Sequence, residues 1–318
     1  MMTLDEFTSY VKNHVVDFLP ADYKDAEIKV DTLYKANDIQ RPYLSVVKKD
    51  DFISTVVYLD EYYNKYVSVN SLRDVMHEIA DICRTDIPLE FRSAEANLSD
   101  YNYVKDHLQM RICEIKSNQN RLMNLAYVEP DAVPGFAATF AVDVGNGGFA
   151  QITNNMLDEY GVTATTLFND ALLQTNSRFS SLFETLSCMM ADMDVPNHID
   201  DETYDQNEVY VLTNTSSQFG ASCLFDSKVM NHISERMGGD LYIIPSSVHE
   251  VLIIAANSEV KPAELGFMLR EVNREEVSSD DFLSDSLLEY NSKEKKISII
   301  NEPDEELKEP SHKASKRR

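Results

Sequence analysis

A glycine-rich turn between two strand-like runs limits the possible folds of this chain more than any other feature. Residues 136–144 and 149–153 are mostly apolar, and Gly145-Asn146-Gly147-Gly148 separates them. Asn and Gly tolerate the positive φ angles of tight turns, so this pattern predicts a β-hairpin. The glycines could also be imagined as a phosphate cradle, but such loops lead into a helix, and here a strand is predicted to follow.

Strand-like runs and helical periodicity alternate along the rest of the chain. Further strands are predicted at residues 27–34, 43–47, 52–59, 208–212, 221–225, 241–244, 251–255 and 297–300. Helices are predicted at residues 4–18, 72–83, 165–175, 180–193, 229–237 and 265–272, with residues 95–125 helical or mixed. Asp226 is expected to cap the helix at 229–237, and Gly238-Gly239 to end it. The motif Leu-Asp-Glu-Tyr occurs at 59–62 and at 157–160, each time after a strand-like run and before a capped helix. We therefore expect an α+β fold of repeated strand–strand–helix modules with mixed or antiparallel sheets.

The length of the chain predicts more than one module. Its 318 residues exceed the roughly 100–200 residues of a usual domain. The order of elements predicts an N-terminal α+β module at 1–125, a middle ββα module at 126–200 and a C-terminal α+β module at 201–302. The polar segment 197–206 is the best candidate for a linker.

The charge of the chain disfavours partners that are themselves acidic. Asp and Glu total 54 against 29 Lys and Arg, which gives a formal net charge of -25. Such a surface repels nucleic-acid backbones and anionic lipid. The exception is residues 303–318, predicted to be a disordered tail that ends in the basic residues Lys313, Lys316, Arg317 and Arg318. A short tail of this kind can touch RNA or an acidic partner, but is more often a solvated end.

Cysteine and histidine spacing give no metal or disulfide pattern. The four cysteines lie at positions 83, 113, 188 and 223 without a C-x-x-C pair. His77-Glu78-Ile79-Ala80-Asp81 is close to a zinc-protease helix motif, but its polar side chains fall on the solvated helix face. No signal peptide and no apolar run of about 18 residues is present. We expect a cytoplasmic protein without a metal or cofactor.

The run Pro245-Ser246-Ser247-Val248-His249-Glu250 is the main candidate site. On an extended backbone Ser247 and His249 share one face at a spacing of about 6.6 Å. A nucleophile and its base must approach to roughly 3 Å, so this spacing is awkward for catalysis. We interpret the run as structural or ligand-contacting. The alternative is a hydrolase-like site with Ser247 or Ser246 as nucleophile, His249 as base and Glu250 or a distant Asp as the orienting group.

Three segments carry a family resemblance: Val209-Tyr210-Val211-Leu212-Thr213-Asn214, Gly220-Ala221-Ser222-Cys223, and residues 239–252, which contain the candidate run. They resemble a large bacterial family of Clostridia type that is known only as a domain of unknown function. The resemblance covers roughly residues 3–300, and the P-S-S-x-H-E run is its most specific element. The chain departs from it with Tyr160-Gly161 in place of Trp-Gly and with Ala255-Ala256 in place of a proline after the strand.

The resemblance implies a cytoplasmic bacterial α+β protein, and it brings no activity, substrate or catalytic residue. Because no strong catalytic motif is present, we expect a non-catalytic protein that binds a partner protein or a small ligand. The hydrolase-like enzyme remains the alternative.

Overall fold

The fold is built from three antiparallel sheets and the helices that flank them. The computed structural model describes residues 1–49, 55–85, 97–145, 147–190, 199, 204–258 and 260–300. Every strand pair within these residues is antiparallel. The predicted α+β class is therefore confirmed.

The first sheet has its own core. Its strands are β1 (Glu27–Tyr34), β2 (Gln40–Val47) and β3 (Val56–Tyr58). Its helices are α1 (Leu4–His14), α2 (Leu59–Val69) and α3 (Leu72–Cys83). A capping box of Thr3 and Glu6 begins α1, since each side chain satisfies the other residue's free N–H. The apolar faces of these helices and strands meet around Phe7, Leu44 and Ile79, which are fully buried.

The second sheet is centred on the long strand β6 (Phe136–Gly145). Strand β4 (Leu108–Glu114) pairs with one edge of β6, and β5 (Tyr127–Val128) and β7 (Gly148–Gln151) pair with the other. The predicted hairpin is confirmed as β6–β7, with Gly145 and Gly147 at φ 86° and 75°. Of the segment 95–125, the described residues 97–125 are mixed, since the short helices α4 (Tyr101–Asp106) and α5 (Gln119–Leu122) flank β4. Sequence periodicity did not resolve β4 as a strand.

The third sheet has six strands in the order β13-β12-β10-β11-β9-β8. They are β8 (Ser181–Thr185), β9 (Tyr210–Asn214), β10 (Leu241–Ile244), β11 (Val251–Ala255), β12 (Leu288–Asn291) and β13 (Lys296–Ile299). The flanking helices are α6 (Asn154–Tyr160), α7 (Ala164–Arg178), α8 (Leu186–Met190), α9 (Ser227–Met237) and α10 (Pro262–Glu275). Asp226 caps α9 and Gly238, at φ 83°, ends it, as predicted.

Two sequence predictions are wrong in this region. Residues 180–193 were expected to be one helix, but their first part is β8, because pairing with β9 overrides local helical preference. Residues 221–225 were expected to be a strand, but they lie in the 3₁₀ helix Gly220–Phe225. All six of its residues are buried, so its apolar run has no period that would distinguish helix from strand.

The contacts cross the expected module boundaries. Strand β4 pairs with β6 across residue 125, and β8 pairs with β9 across residue 200. One buried core also extends over the second and third sheets, from Val104 to Ile297. The division into modules at residues 125 and 200 stays a prediction. In the described residues the second and third sheets share one buried core, whereas the first sheet has its own. Most of the expected linker 197–206, and the whole tail 303–318, lie outside the described residues.

The two copies of Leu-Asp-Glu-Tyr lie at different places in their helices. Leu59 is the first residue of α2, whereas Tyr160 is the last residue of α6. The motif therefore does not mark equivalent positions. Within the described residues, no helix is long and apolar enough to cross a membrane.

The turn between β1 and β2 hydrogen-bonds to the segment at the start of α5. The backbone N–H of Asn37 donates to Asn118 Oδ1 at 2.9 Å, and Asn118 Nδ2 returns a bond to Asn37 Oδ1 at 3.3 Å. The Asp38 carboxylate accepts the N–H groups of Asn120 and Arg121, each at 2.8 Å, at the start of α5. Asn37 and Asp38 both adopt positive φ, 58° and 53°. This turn brings the end of β1 over the second sheet.

Candidate functional site

The 245–250 run is an irregular segment between β10 and β11 that pairs with residues 281–284. Val248 N–H donates to the Asp281 carbonyl at 2.8 Å, and Leu283 N–H donates to the Ser246 carbonyl at 3.1 Å. Ser246 and Ser247 are buried. Backbone groups of Pro245, Ser246 and Val248 therefore hold the run against residues 281–284.

His249 uses both of its ring nitrogens in this arrangement. Nδ1 accepts the backbone N–H of Phe219 at 3.2 Å, and Nε2 lies 3.0 Å from Asp281 Oδ1. Because Nδ1 receives a hydrogen, the proton of the neutral imidazole must be on Nε2, where it donates to the carboxylate. Burial raises the pKa of Asp281, but hydrogen bonds from Ser278 and His249 outweigh it and lower that pKa below its usual range.

Ser247 and Glu250 lie beside His249 without forming a nucleophile–base pair. Ser247 Oγ accepts the backbone N–H of His249 at 3.0 Å. Burial raises the pKa of Glu250, and this effect is partly offset by His249 and by a hydrogen bond to Ser247. Within the described residues, no serine hydroxyl hydrogen-bonds to the His249 ring. The structure brings these predicted site residues together, but the carboxylate on the imidazole belongs to Asp281.

Phe219 connects the run to a second set of residues. It adopts φ 55° and ψ 26°, the left-handed conformation, which is costly for a bulky side chain. Its ring lies 3.8 Å from the guanidinium carbon of Arg111, and Phe149 contacts the same guanidinium at 4.6 Å. The two phenyl rings are nearly perpendicular to each other. Arg111 therefore lies in a corner formed by two aromatic faces, which attract a cation.

Arg111 is a half-buried cation with few polar partners. Burial and the charge of Arg121 lower the pKa of its guanidinium to about 10. Its Nε atom is buried without a hydrogen bond, and Nη2 makes one long bond of 3.4 Å to Gln109 Oε1. Among the described residues, no carboxylate oxygen lies within 4.0 Å of it. A charge that is partly removed from water and has no counter-ion is costly to the folded chain.

Arg111 lines a cavity of about 790 Å³ between the end of β1 and the exposed face of the second sheet. Its apolar lining includes Leu33, Tyr58, Ile112, Phe149, Phe219, Val248 and Phe282. Its charged lining consists of Lys35, Arg111, Arg121, Asp280 and Asp281. The cations exceed the carboxylates, and Asp281 is already engaged with His249. The cavity lining therefore has one more cation than carboxylate, whereas the whole chain has a net charge of -25.

Arg121 and Lys35 line the same cavity as Arg111. Arg121 reaches only neutral amide oxygens, Asn118 Oδ1 at 3.4 Å and Gln151 Oε1 at 3.3 Å. Lys35 Nζ lies over the Tyr58 ring at 4.7 Å. Neither cation pairs with a carboxylate of the described chain. Among all the residues that the structure describes, no group of three His, Cys, Asp or Glu side chains could hold a metal ion.

Fold and site together define an α+β protein of antiparallel sheets with a cationic cavity. The chain belongs to the family of unknown function DUF5688, whose model matches residues 4–292. The predicted membership in a family of unknown function is confirmed, and the match covers nearly the full length of the chain. The bacterial, Clostridia-type origin stays a prediction. No curated protein and no solved structure matches the chain.

Sequence reasoning missed Arg111, Arg121 and Phe219, and it expected a distant Asp beside His249 without identifying it as Asp281. One signal was available for Arg111, because it is the one charged residue in the run 108–113, which is otherwise apolar except for Gln109. Arg121 and Asp281 carry no comparable signal, since both lie in polar segments among many other charged residues.

Proposed function

We propose that this protein is a non-catalytic binding protein that holds a small anionic molecule in the cavity beside Arg111. The observation that carries the proposal is the half-buried guanidinium of Arg111, whose buried Nε has no hydrogen bond and which has no counter-ion among the described residues. An anionic group at this place would offset the cost of burying the charge.

The size and lining of the cavity support the proposal. A volume of about 790 Å³ lies within the range of small-molecule sites, which is roughly 300–1,000 Å³. Apolar side chains can cover the body of a ligand, while the arginines fix its charged end. The cations of the cavity also attract an anionic ligand locally, which counteracts its repulsion by the acidic surface.

Thermal unfolding with matched probes tests the proposal. Benzoate and phenyl phosphate are compared with the neutral analogues benzamide and phenol, for the wild type, Arg111→Met and Arg274→Met. Arg274 is an exposed control that pairs with Glu271 and Glu275. We expect an anion to raise the Tm of the wild type and of Arg274→Met, but not of Arg111→Met. Equal shifts from the neutral analogues, or in Arg111→Met, would contradict the proposal.

The hydrolase-like enzyme remains the second candidate. Its support is the His249–Asp281 pair, which resembles the base and orienting group of a hydrolase. Against it, Nδ1 already accepts the Phe219 N–H, so the base has no free nitrogen for Ser246 or Ser247. Hydrolysis of p-nitrophenyl acetate that is lost in Ser247→Ala or Ser246→Ala, while the fold is kept, would favour it.

Two further parts of the proposal come from the sequence. We place the protein in the cytoplasm, supported by the four free cysteines, which suit a reducing compartment. We also propose a protein partner for the acidic surface. For the tail residues Lys313, Lys316, Arg317 and Arg318, which lie outside the described residues, we propose contact with RNA or an acidic partner. Pull-down with a chain lacking residues 303–318 tests the tail contact, because an unchanged set of captured partners would exclude it.

A further inference from the structure

The two arginines of the cavity are held by the same face of the second sheet. Gln109 on β4, Ala141 on β6 and Gln151 on β7 lie opposite one another in register. Gln109 hydrogen-bonds to Arg111, and Gln151 hydrogen-bonds to Arg121. Adjacent strands are about 4.8 Å apart, so the two glutamines are separated by about 10 Å. The two guanidinium groups thus extend from neighbouring supports toward one cavity.

Neither guanidinium has a negative partner that would offset its charge among the described residues. Their bonds to the glutamines are long, 3.4 Å and 3.3 Å, and both acceptors are neutral amides. The charge of Arg121 contributes to the lowered pKa of Arg111, so the two groups repel each other. A ligand with one negative charge would leave the two arginines with a net positive charge between them.

We infer that the ligand carries a compact dianionic group, a phosphate monoester or a short dicarboxylate, that bridges Arg111 and Arg121. Guanidinium groups present parallel N–H donors that match the oxygens of phosphate and carboxylate. Two negative charges would neutralise both arginines and replace their repulsion by two attractions. This inference rests on the proposed anion-binding function and adds the charge of the ligand to it.

Isothermal titration with three probes tests the inference: phenyl phosphate, succinate and benzoate. The proteins are the wild type, Arg121→Met, Arg111→Met and the control Arg274→Met, each checked for its fold by circular dichroism. We expect Arg121→Met to lose at least about tenfold in affinity for a dianion, equivalent to about 1.4 kcal/mol, and little for benzoate. Tighter binding of phenyl phosphate assigns the monoester, and tighter binding of succinate assigns the dicarboxylate.

A pH series supplies a second readout that does not depend on a variant. A phosphate monoester gains its second charge near pH 6, so the affinity for phenyl phosphate should rise across that pH, whereas the affinity for benzoate should not show this rise. Benzoate binding as tightly as phenyl phosphate and succinate, or Arg121→Met binding both dianions unchanged, would overturn the inference. If these anions bind through Arg111 alone, the proposed function stands without the inference. If none binds to the wild type, both fail.

Discussion

The Nδ1 atom of His249 accepts the backbone N–H of Phe219 at 3.2 Å, and this contact joins the 245–250 run to the cavity. Phe219 needs the bond because its left-handed backbone is costly for a bulky residue. Once held, its ring covers Arg111 at 3.8 Å. The P-S-S-x-H-E run, which is the most specific part of the family resemblance, thus supports one wall of the cavity.

The first prediction separates the two bonds of the His249 ring. The amide oxygen of Asn can replace Nδ1, and the amide nitrogen of Gln can replace Nε2. His249→Asn should keep the acceptor for Phe219 and lose the bond to Asp281, and His249→Gln should do the opposite. We expect His249→Gln to be the less stable by about 1–3 kcal/mol, the cost of an unsatisfied buried N–H.

Urea unfolding gives the stabilities, and amide hydrogen exchange at Phe219 reports the bond directly. Exchange at Phe219 should be faster in His249→Gln and near the wild-type rate in His249→Asn. The opposite order would show that Asp281, and not Phe219, is the partner that keeps the histidine in place.

Gly220 is required where three backbone segments meet. A Cβ atom at this position would lie 2.3 Å from Thr213 Oγ1, 2.6 Å from the His249 carbonyl oxygen and 2.8 Å from the Asn214 nitrogen. Two of these neighbours are backbone atoms that cannot turn away. We therefore expect Gly220→Ala to cost more than about 3 kcal/mol of unfolding free energy, as overpacking of a rigid core does at its upper limit.

The matched control is Gly161→Ala at the end of α6. Gly161 has φ 65°, but a Cβ there would meet nothing within 4 Å. The cost should be limited to backbone strain of about 1 kcal/mol. Similar losses for the two variants in urea unfolding would mean that residues 213, 214 and 249 can move aside.

Arg111 is expected to lower the stability of the ligand-free protein. Its pKa of about 10, compared with an ordinary 12.5, reflects a penalty that contacts with Phe149 and Phe219 offset only in part. Arg111→Met should therefore raise the free energy of unfolding by about 1 kcal/mol, and the Tm by about 2 °C. Calorimetry beside Arg274→Met, which should change little, checks this. A loss of stability in Arg111→Met would instead indicate a structural role.

Glu250 should make the folded protein less stable as the pH rises. Its folded-state pKa is raised from 4.5, mainly by burial, so its protonated form favours the folded state. This contribution is present below pH 4.5 and is lost as the pH rises through the raised value. Glu250→Gln should match the wild type at the acidic end and be more stable at neutral pH. Urea midpoints from pH 3 to 8 measure the difference, with the exposed Glu294→Gln as control.

Local patterns were sufficient for much of the fold. The Gly-Asn-Gly-Gly turn predicted the β6–β7 hairpin, and Asp226 with Gly238 predicted both ends of α9. These features depend on φ angles and capping bonds between residues close in sequence, which is why they can be read without tertiary information. The errors at 180–193 and 221–225 have the opposite cause. Pairing with β9 and complete burial of Gly220–Phe225 decide those conformations.

The 245–250 run shows what the sequence determined by itself. It located a polar segment between two strands, and its spacing already argued against a serine–histidine pair. The sequence alone also determined the α+β class, the acidic charge and the family. Only the tertiary structure joined His249 to Phe219, 30 residues earlier, and placed Arg111 and Arg121 on one cavity wall. Such contacts form when separate sheets pack together, and no local preference of the chain encodes which distant side chains will then meet.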